Sequence, residues 1–195
     1  MTLLMAGLLI FLGVHSVRIF AEGWRTQMRA RLGENAFKGV YSVLSLLGFV
    51  LIVWGYGAAR LEPVPLWGSP TWTRHVASLF TLPAFVILFG AYVPGNHIKA
   101  KLHHPMVLAV KLWAFAHLLA NNTVADLLLF GGFLVWAALS FRAARQRDAL
   151  AGTVYAAGRM GPTLVTVALG LVGWAAFAFW AHAAWIGVRP FGGTA

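Results

Sequence analysis

The chain of 195 residues contains no cysteine. Disulfide bonds and thiol redox chemistry are therefore excluded. Iron–sulfur clusters and thiolate-ligated haem also need cysteine sulfur, so the sequence excludes them as well. Any metal centre in this protein has to use other ligands, of which histidine is the most common.

Charged residues are also scarce. Asp, Glu, Lys and Arg make up 10% of the chain, against about 25% in a typical soluble domain. Only five residues are acidic, and the hydrophobic share is 60%. The sequence contains no paired carboxylates within an apolar stretch, no G-x-S-x-G or H-E-x-x-H motif and no Walker motif, so nothing indicates hydrolytic catalysis. A chain of this length and apolarity predicts an integral membrane protein.

Long apolar stretches dominate what is present. A spanning helix needs roughly 20 mostly apolar residues, and six stretches come near that length. They cover residues 1–20 (to 24 if Trp24 is included), 39–59, 75–93, 105–120, 124–141 and 162–185. The sequence predicts an all-α bundle of about six transmembrane helices, forming a single domain over residues 1–195. No 20–50-residue repeat favours an inverted-repeat transporter.

The net charge of +10 resembles that of a nucleic-acid-binding protein. The basic residues lie at the ends of spans, however, so we expect no nucleic-acid partner.

The distribution of basic residues predicts the membrane topology. Eleven basic residues lie after the first, third and fifth spans, against three on the other side. The eleven are Arg18, Arg25, Arg29, Arg31, Lys38, Lys99, Lys101, Arg142, Arg145, Arg147 and Arg159. Because basic loops face the cytoplasm, we expect a multi-pass protein of the bacterial inner membrane with both termini in the periplasm. The first stretch has no basic residue before Arg18, so it lacks the pattern of a cleavable signal peptide.

The first cytoplasmic loop carries Trp24, Met28 and Leu32 at steps of four residues, with Arg25 and Arg29 on another face. This spacing is typical of a short amphipathic helix on the membrane surface. The alternative is an ordinary basic loop.

Two histidines are the main functional candidates. His15 lies in the first stretch and His117 in the fourth. An ionisable side chain within a span is costly and is a functional candidate by default. Two neutral imidazoles on different helices could ligate one metal centre, and haem iron is the obvious one. The alternative is that each ring only hydrogen-bonds a neighbouring helix.

The depths of these rings depend on the helix ends. If the first helix ends at Trp24 and the fourth begins at Pro105, His15 lies about 13–14 Å deep and His117 about 18 Å deep. The two imidazoles are then close enough in depth for small tilts to align them. If the first helix ends at Arg18 instead, His15 rises to the interface and the match fails.

The same boundaries place Arg18 and Lys111 roughly 9 Å deep. Since no acidic residue is predicted at that depth, the carboxylates of a haem are candidate partners for both cations. The alternative is that both long side chains snorkel to the lipid headgroups.

The other histidines lie near span ends. His97, His103 and His104 cluster before the fourth span with no acidic residue among them, so they are a weak metal site. On a continuous helix, His103 falls within about 40° of the face of His117 and could act as a gate or a supporting residue. His75 and His182 are explained by interfacial positions, with His182 an alternative ligand.

Three segments carry a family resemblance. They are GVHS at 13–16, RLGENAFKGVYSVLSLLGFVLIVWGYG at 31–57 and HPMVLAVKLWAFAHLLANN at 104–122. With them the chain resembles the NnrU family, which is associated with denitrification and nitric-oxide metabolism and is related to the plastid 15-cis-zeta-carotene isomerase. That relative uses haem b held by two histidines. The resemblance implies haem b as cofactor, His15 and His117 as its iron ligands, and His104 as a supporting residue.

Three functions remain open from the sequence. The first is a redox-linked haem b membrane protein of nitric-oxide metabolism. The second is a haem-dependent cis–trans isomerase acting on an apolar, carotenoid-like polyene. The third is a transporter or assembly factor without haem. Membrane lipid is a partner in all three, and the sequence predicts no oligomeric state.

Overall fold

The computed structural model describes residues 1–191. Over these residues the chain is helical, which confirms the predicted all-α class. The helices are α1 (Thr2–Phe20), α2 (Glu22–Leu32), α3 (Glu34–Ala59), α4 (Trp72–Tyr92), α5 (His97–Leu102), α6 (Pro105–Ala120), α7 (Val124–Leu150), α8 (Met160–Ala176) and α9 (His182–Ile186). A π-helical turn, Phe177–Ala181, joins α8 to α9.

Five helices of the described chain are long and apolar enough to cross a membrane. They are α1, α3, α4, α7 and the continuous segment Met160–Ile186. The helix α6 is equally apolar but has only 16 residues, a rise of about 24 Å against a hydrocarbon core of about 30 Å. The predicted number of about six spans is therefore close to what the structure shows.

The first predicted span, residues 1–20, agrees with α1, which ends at Phe20. The extension to Trp24, on which the depth estimate depended, is wrong, because Ala21 leaves the helical conformation at φ −138° and ψ 43°. The next residues form α2, so the structure selects the helix from the two alternatives that the sequence left open for the basic loop. Other predicted boundaries also differ from the structure. The helix α7 continues well past Phe141, since its last residues are mainly Ala, Arg and Gln, which are strong helix formers.

The chain folds as two compact units. The first unit contains Met1–Gly68 and Asn122–Ala144, and the second contains Ser69–Asn121 and Arg145–Ala195. The first unit holds α1, α2, α3 and most of α7. The second holds the remaining helices.

Glycines bring α1 and α3 into close antiparallel contact in the first unit. A methyl group on Gly55 would lie 2.3 Å from the backbone nitrogen of Leu4, and one on Gly7 would lie 2.6 Å from that of Ile52. Further along, a methyl group on Gly48 would lie 2.7 Å from the backbone nitrogen of Phe11. Small residues of this kind let membrane helices pack backbone to backbone.

The second unit is organised around α4, which packs against both α6 and α8. The ring of Phe80 on α4 meets that of Phe115 on α6 edge to face, with centroids 5.2 Å apart. On the α8 side, a methyl group on Gly170 would lie 2.5 Å from Cα of Val86. The indole nitrogen of Trp174 also donates a 3.0 Å hydrogen bond to the Thr81 hydroxyl.

Candidate functional site

His15 lies on the last turns of α1, and its tautomer is fixed by the helix itself. The ring nitrogen Nδ1 donates a 2.7 Å hydrogen bond to the carbonyl oxygen of Phe11, one turn earlier. The imidazole also stacks on the Phe11 ring, with centroids 4.2 Å apart. Because Nδ1 carries the proton, Nε2 carries the lone pair of the neutral ring. That nitrogen is the one able to ligate a metal.

Aromatic side chains from the other two long helices of the first unit border the His15 ring. The Tyr41 ring on α3 lies 5.3 Å from it between centroids. The Trp136 ring on α7 lies 6.1 Å away and nearly perpendicular, at 86°. Three helices thus contribute to one aromatic pocket around His15, formed by Phe11, Tyr41 and Trp136. We call it the His15 pocket and include in it Ser45, which lies one helical turn after Tyr41 on α3.

Two polar atoms of the His15 pocket have no hydrogen-bond partner among the described residues. They are the indole nitrogen of Trp136 and the hydroxyl of Ser45, and both atoms are buried. Buried polar groups are normally paired, so these two donors mark a place where a bound acceptor would be stabilised.

Cations lie at the same end of the first unit. Arg18 and Arg25 are close enough to interact electrostatically with the Tyr41 hydroxyl. Glu22 accepts a 3.0 Å hydrogen bond from Arg25 and lies 3.9 Å from Nε of Arg18. Glu22 is thus a protein carboxylate beside Arg18, where the sequence predicted no acid at the depth of that arginine. The three side chains together keep one net positive charge.

His117 repeats the geometry of His15 in the second unit. Its Nδ1 donates a 2.8 Å hydrogen bond to the carbonyl oxygen of Trp113, again one turn earlier. The Trp113 ring lies 5.0 Å from the imidazole between centroids. The carbonyl oxygen of His117 in turn accepts a 2.8 Å hydrogen bond from the Asn121 side chain. His117 therefore also has the tautomer in which Nε2 carries the lone pair.

The two histidines belong to different units, and their joint ligation of a metal stays a prediction. With α1 ending at Phe20, His15 lies about 7–8 Å from that end and Arg18 about 3 Å. Both are shallower than the depth estimate, because that estimate supposed a helix end at Trp24, four residues later. Among residues 1–191, no three His, Cys, Asp or Glu side chains form a metal-binding group. A pair of haem ligands needs only two.

Lys111 lies on α6 with its side chain exposed. Within the described part of the chain, Lys111 forms no ion pair with a protein carboxylate. Its role toward a haem carboxylate stays a prediction.

His104 bonds to an acid that the sequence did not reveal. Its Nε2 donates a 2.7 Å hydrogen bond to Oδ2 of Asp148, which also accepts a 2.9 Å bond from the Tyr155 hydroxyl. No acid lies among these histidines in the sequence, but α7 extends far enough to bring Asp148 to His104. Burial and the bond to Asp148 raise the pKa of Tyr155.

His103 lies in the turn between α5 and α6 and not on the helix of His117. Its φ of 65° is in the left-handed region, which is strained for a residue other than glycine. Its ring stacks on Tyr155, with centroids 4.0 Å apart and planes 9° apart, and its Nδ1 accepts a hydrogen bond from Arg145. The expected alignment of His103 with the face of His117 fails, since it required a continuous helix.

The remaining histidines have structural partners. The Nδ1 of His97 donates a 2.9 Å hydrogen bond to the Thr163 hydroxyl, which in turn donates a 2.7 Å hydrogen bond to the Arg159 carbonyl oxygen. The Nδ1 of His182 donates to the carbonyl of Val188 at 2.7 Å. His75 stacks on Phe191, with centroids 6.3 Å apart.

Asp126 is the buried acid that sequence reasoning overlooked. It is 6% exposed and accepts hydrogen bonds from the Tyr56 hydroxyl at 2.6 Å and from the backbone of Thr123 at 2.9 Å. The backbone N–H of Asp126 donates back to the Thr123 hydroxyl at 3.2 Å. This is a capping box at the start of α7. The T-x-x-D spacing before an apolar run was a signal that could have identified it.

The length and apolarity of the helices define a multi-pass helical membrane protein. The chain belongs to the NnrU family, because the family model described as NnrU protein matches residues 3–190, nearly its whole length. The resemblance found in the sequence is thereby confirmed at the level of the family. No curated protein and no solved structure gives a significant match.

Proposed function

We propose that this NnrU-type membrane protein binds haem b and serves a redox-linked role in nitric-oxide or denitrification metabolism. His15 and His117 are the proposed axial ligands through their Nε2 atoms. The proposed location is the bacterial inner membrane, with the basic ends of the spans in the cytoplasm.

One observation carries this proposal. His15 and His117 each donate Nδ1–H to a carbonyl oxygen one turn earlier, at 2.7 and 2.8 Å. A ligating histidine almost always donates its second ring nitrogen to a carbonyl, carboxylate or water, which fixes the tautomer and raises the basicity of the ligand. Both candidates therefore have the tautomer that ligation through Nε2 requires, and His182, the alternative ligand, shares it.

The surroundings of His15 also fit a haem. Its flat ring is held between aromatic side chains, and Arg18 and Arg25 provide positive charge at the same end of the unit. Haem b would supply a one-electron redox couple and, if one histidine left the iron, an open coordination position. The chain itself would orient the two imidazoles and neutralise the carboxylates.

The test is an absorption spectrum of the purified protein, oxidised and reduced, for the wild type and for His15→Ala and His117→Ala. We expect a Soret band in the wild type and loss of haem, or a change from six-coordinate to high-spin iron, in both variants. His75→Ala is the matched control, because His75 is an exposed histidine that stacks on Phe191. His182→Ala tests the alternative ligand. A wild type without a Soret band, or variants with full haem and an unchanged spectrum, would contradict the assignment.

Addition of nitric oxide to the reduced protein tests the gas-linked role separately. We expect a shift of the Soret band as the gas displaces one histidine. An unchanged ferrous spectrum would contradict the nitric-oxide role and leave haem binding intact.

A further inference from the structure

We propose that the buried donors of the His15 pocket, Trp136 Nε1–H and the Ser45 hydroxyl, bind a carboxylate of the group that His15 ligates. This inference rests on the proposed function, since it takes that group to be haem b. It assigns Trp136 and Ser45 as positioning residues.

The first argument is that both donors lack a partner. The Trp136 nitrogen and the Ser45 oxygen are buried and form no hydrogen bond with any described residue. A serine in a helix commonly satisfies its hydroxyl on the carbonyl one turn earlier, as Thr166 does with Pro162 at 2.8 Å. Ser45 does not do so. An unpaired polar group at this depth is costly, which favours a bound acceptor.

The second argument is position: Trp136 contacts His15, and Ser45 lies on the same face of α3 as a residue that contacts His15. The Trp136 ring faces the His15 ring edge on, 6.1 Å between centroids. Ser45 lies one helical turn after Tyr41, which contacts His15, and three residues before Gly48, which abuts Phe11. Residues three and four apart share a helix face, so Ser45 is on the face of α3 that packs against α1.

The third argument is charge. Arg18 and Arg25 interact electrostatically with the Tyr41 hydroxyl of the same pocket. Glu22 pairs with both arginines and neutralises one of the two charges. The positive charge of the two arginines favours an anionic oxygen over a neutral acceptor. A carboxylate on a ligand of His15 satisfies this charge and both unpaired donors.

The experiment compares haem with haem dimethyl ester, in which both carboxylates are esterified. Each is loaded into the purified full-length protein, and the rate of its transfer to an excess of a soluble apo-globin is measured. We expect Trp136→Phe to release haem about 10-fold faster than the wild type, the effect of losing one hydrogen bond to a charged group. Ser45→Ala should act in the same direction. With the ester, whose uncharged carbonyl is a weaker acceptor, the acceleration in both variants should be clearly smaller.

Trp54→Phe is the matched control, because Trp54 lies on α3 with its side chain exposed. Equal release rates for haem in Trp136→Phe and Trp54→Phe would overturn the inference. So would an acceleration that is the same for haem and for the ester, since that would indicate packing and not a carboxylate contact. A wild type that binds no haem would instead overturn the proposed function, so the two failures are distinct. If Trp136→Phe does not fold, the same comparison of haem and ester release in Ser45→Ala tests the inference by itself.

Discussion

The hydroxyl of Tyr56 donates a 2.6 Å hydrogen bond to Oδ1 of Asp126, joining the end of α3 to the start of α7. Oδ2 of the same carboxylate accepts from the backbone and the hydroxyl of Thr123. A carboxylate buried to this extent is tolerated only when its oxygens are paired. The bond from Tyr56 therefore holds two helices of the first unit together at one end.

Replacing Tyr56 with Phe should destabilise the protein by about 1–3 kcal/mol, because it leaves a buried acceptor short of one partner. The measurement is the midpoint of thermal or denaturant unfolding in detergent micelles. Tyr92→Phe is the control, since Tyr92 is 66% exposed and should change the midpoint little. Equal midpoints for the two variants would contradict a structural role for the Tyr56 hydroxyl.

The contact of α1 with α3 gives a second prediction. Gly55→Ala would bring a methyl group to 2.3 Å from the backbone nitrogen of Leu4, so the helices must move apart. We expect a loss of about 1–3 kcal/mol, the usual cost of overpacking. Gly57→Ala is on the same helix with nothing within 4 Å of the added methyl group. It should be neutral or slightly stabilising, and a loss as large as that of Gly55→Ala would refute the packing argument.

Much of the fold was predictable because apolar length alone sets a membrane span. The sequence identified every apolar helix, including the short α6, and it identified the family. The ends of the helices were harder to predict. The break at Ala21 carries no glycine or proline, and α7 continues through charged residues that form helix well. Charge marks where a helix leaves the lipid, not where it stops.

The candidate site was predictable only in part. An imidazole within a span is visible in sequence, so His15 and His117 were found. Their tautomers were not, because these depend on the carbonyls of Phe11 and Trp113. The bond from His104 to Asp148 joins residues 44 positions apart, and no local pattern signals such a pair.

Membrane orientation can be tested cleanly because the natural chain has no cysteine. Single cysteines at Gly68 and Ala151 would lie in the exposed loops that follow α3 and α7. If the basic ends face the cytoplasm, a membrane-impermeant maleimide added to spheroplasts should label the cysteine at position 68. It should not label the cysteine at position 151. Disruption of the cells should make both react. The reverse pattern would invert the predicted topology.

The alkaline titration of Tyr155 provides a test in the second unit. Its pKa is raised above the ordinary 10.0 by burial and by the hydrogen bond to Asp148. The protonated hydroxyl is the donor, so its stabilising effect is complete below pH 10.0 and is lost as the pH rises through the raised pKa. The chain has four tyrosines, and the difference between the phenolate absorbance of the wild type and of Tyr155→Phe isolates this one. We expect its midpoint above that of free tyrosine, and the stability difference between the two proteins should shrink over the same pH interval. A midpoint at or below the ordinary value would show that Tyr155 does not donate to Asp148 in solution.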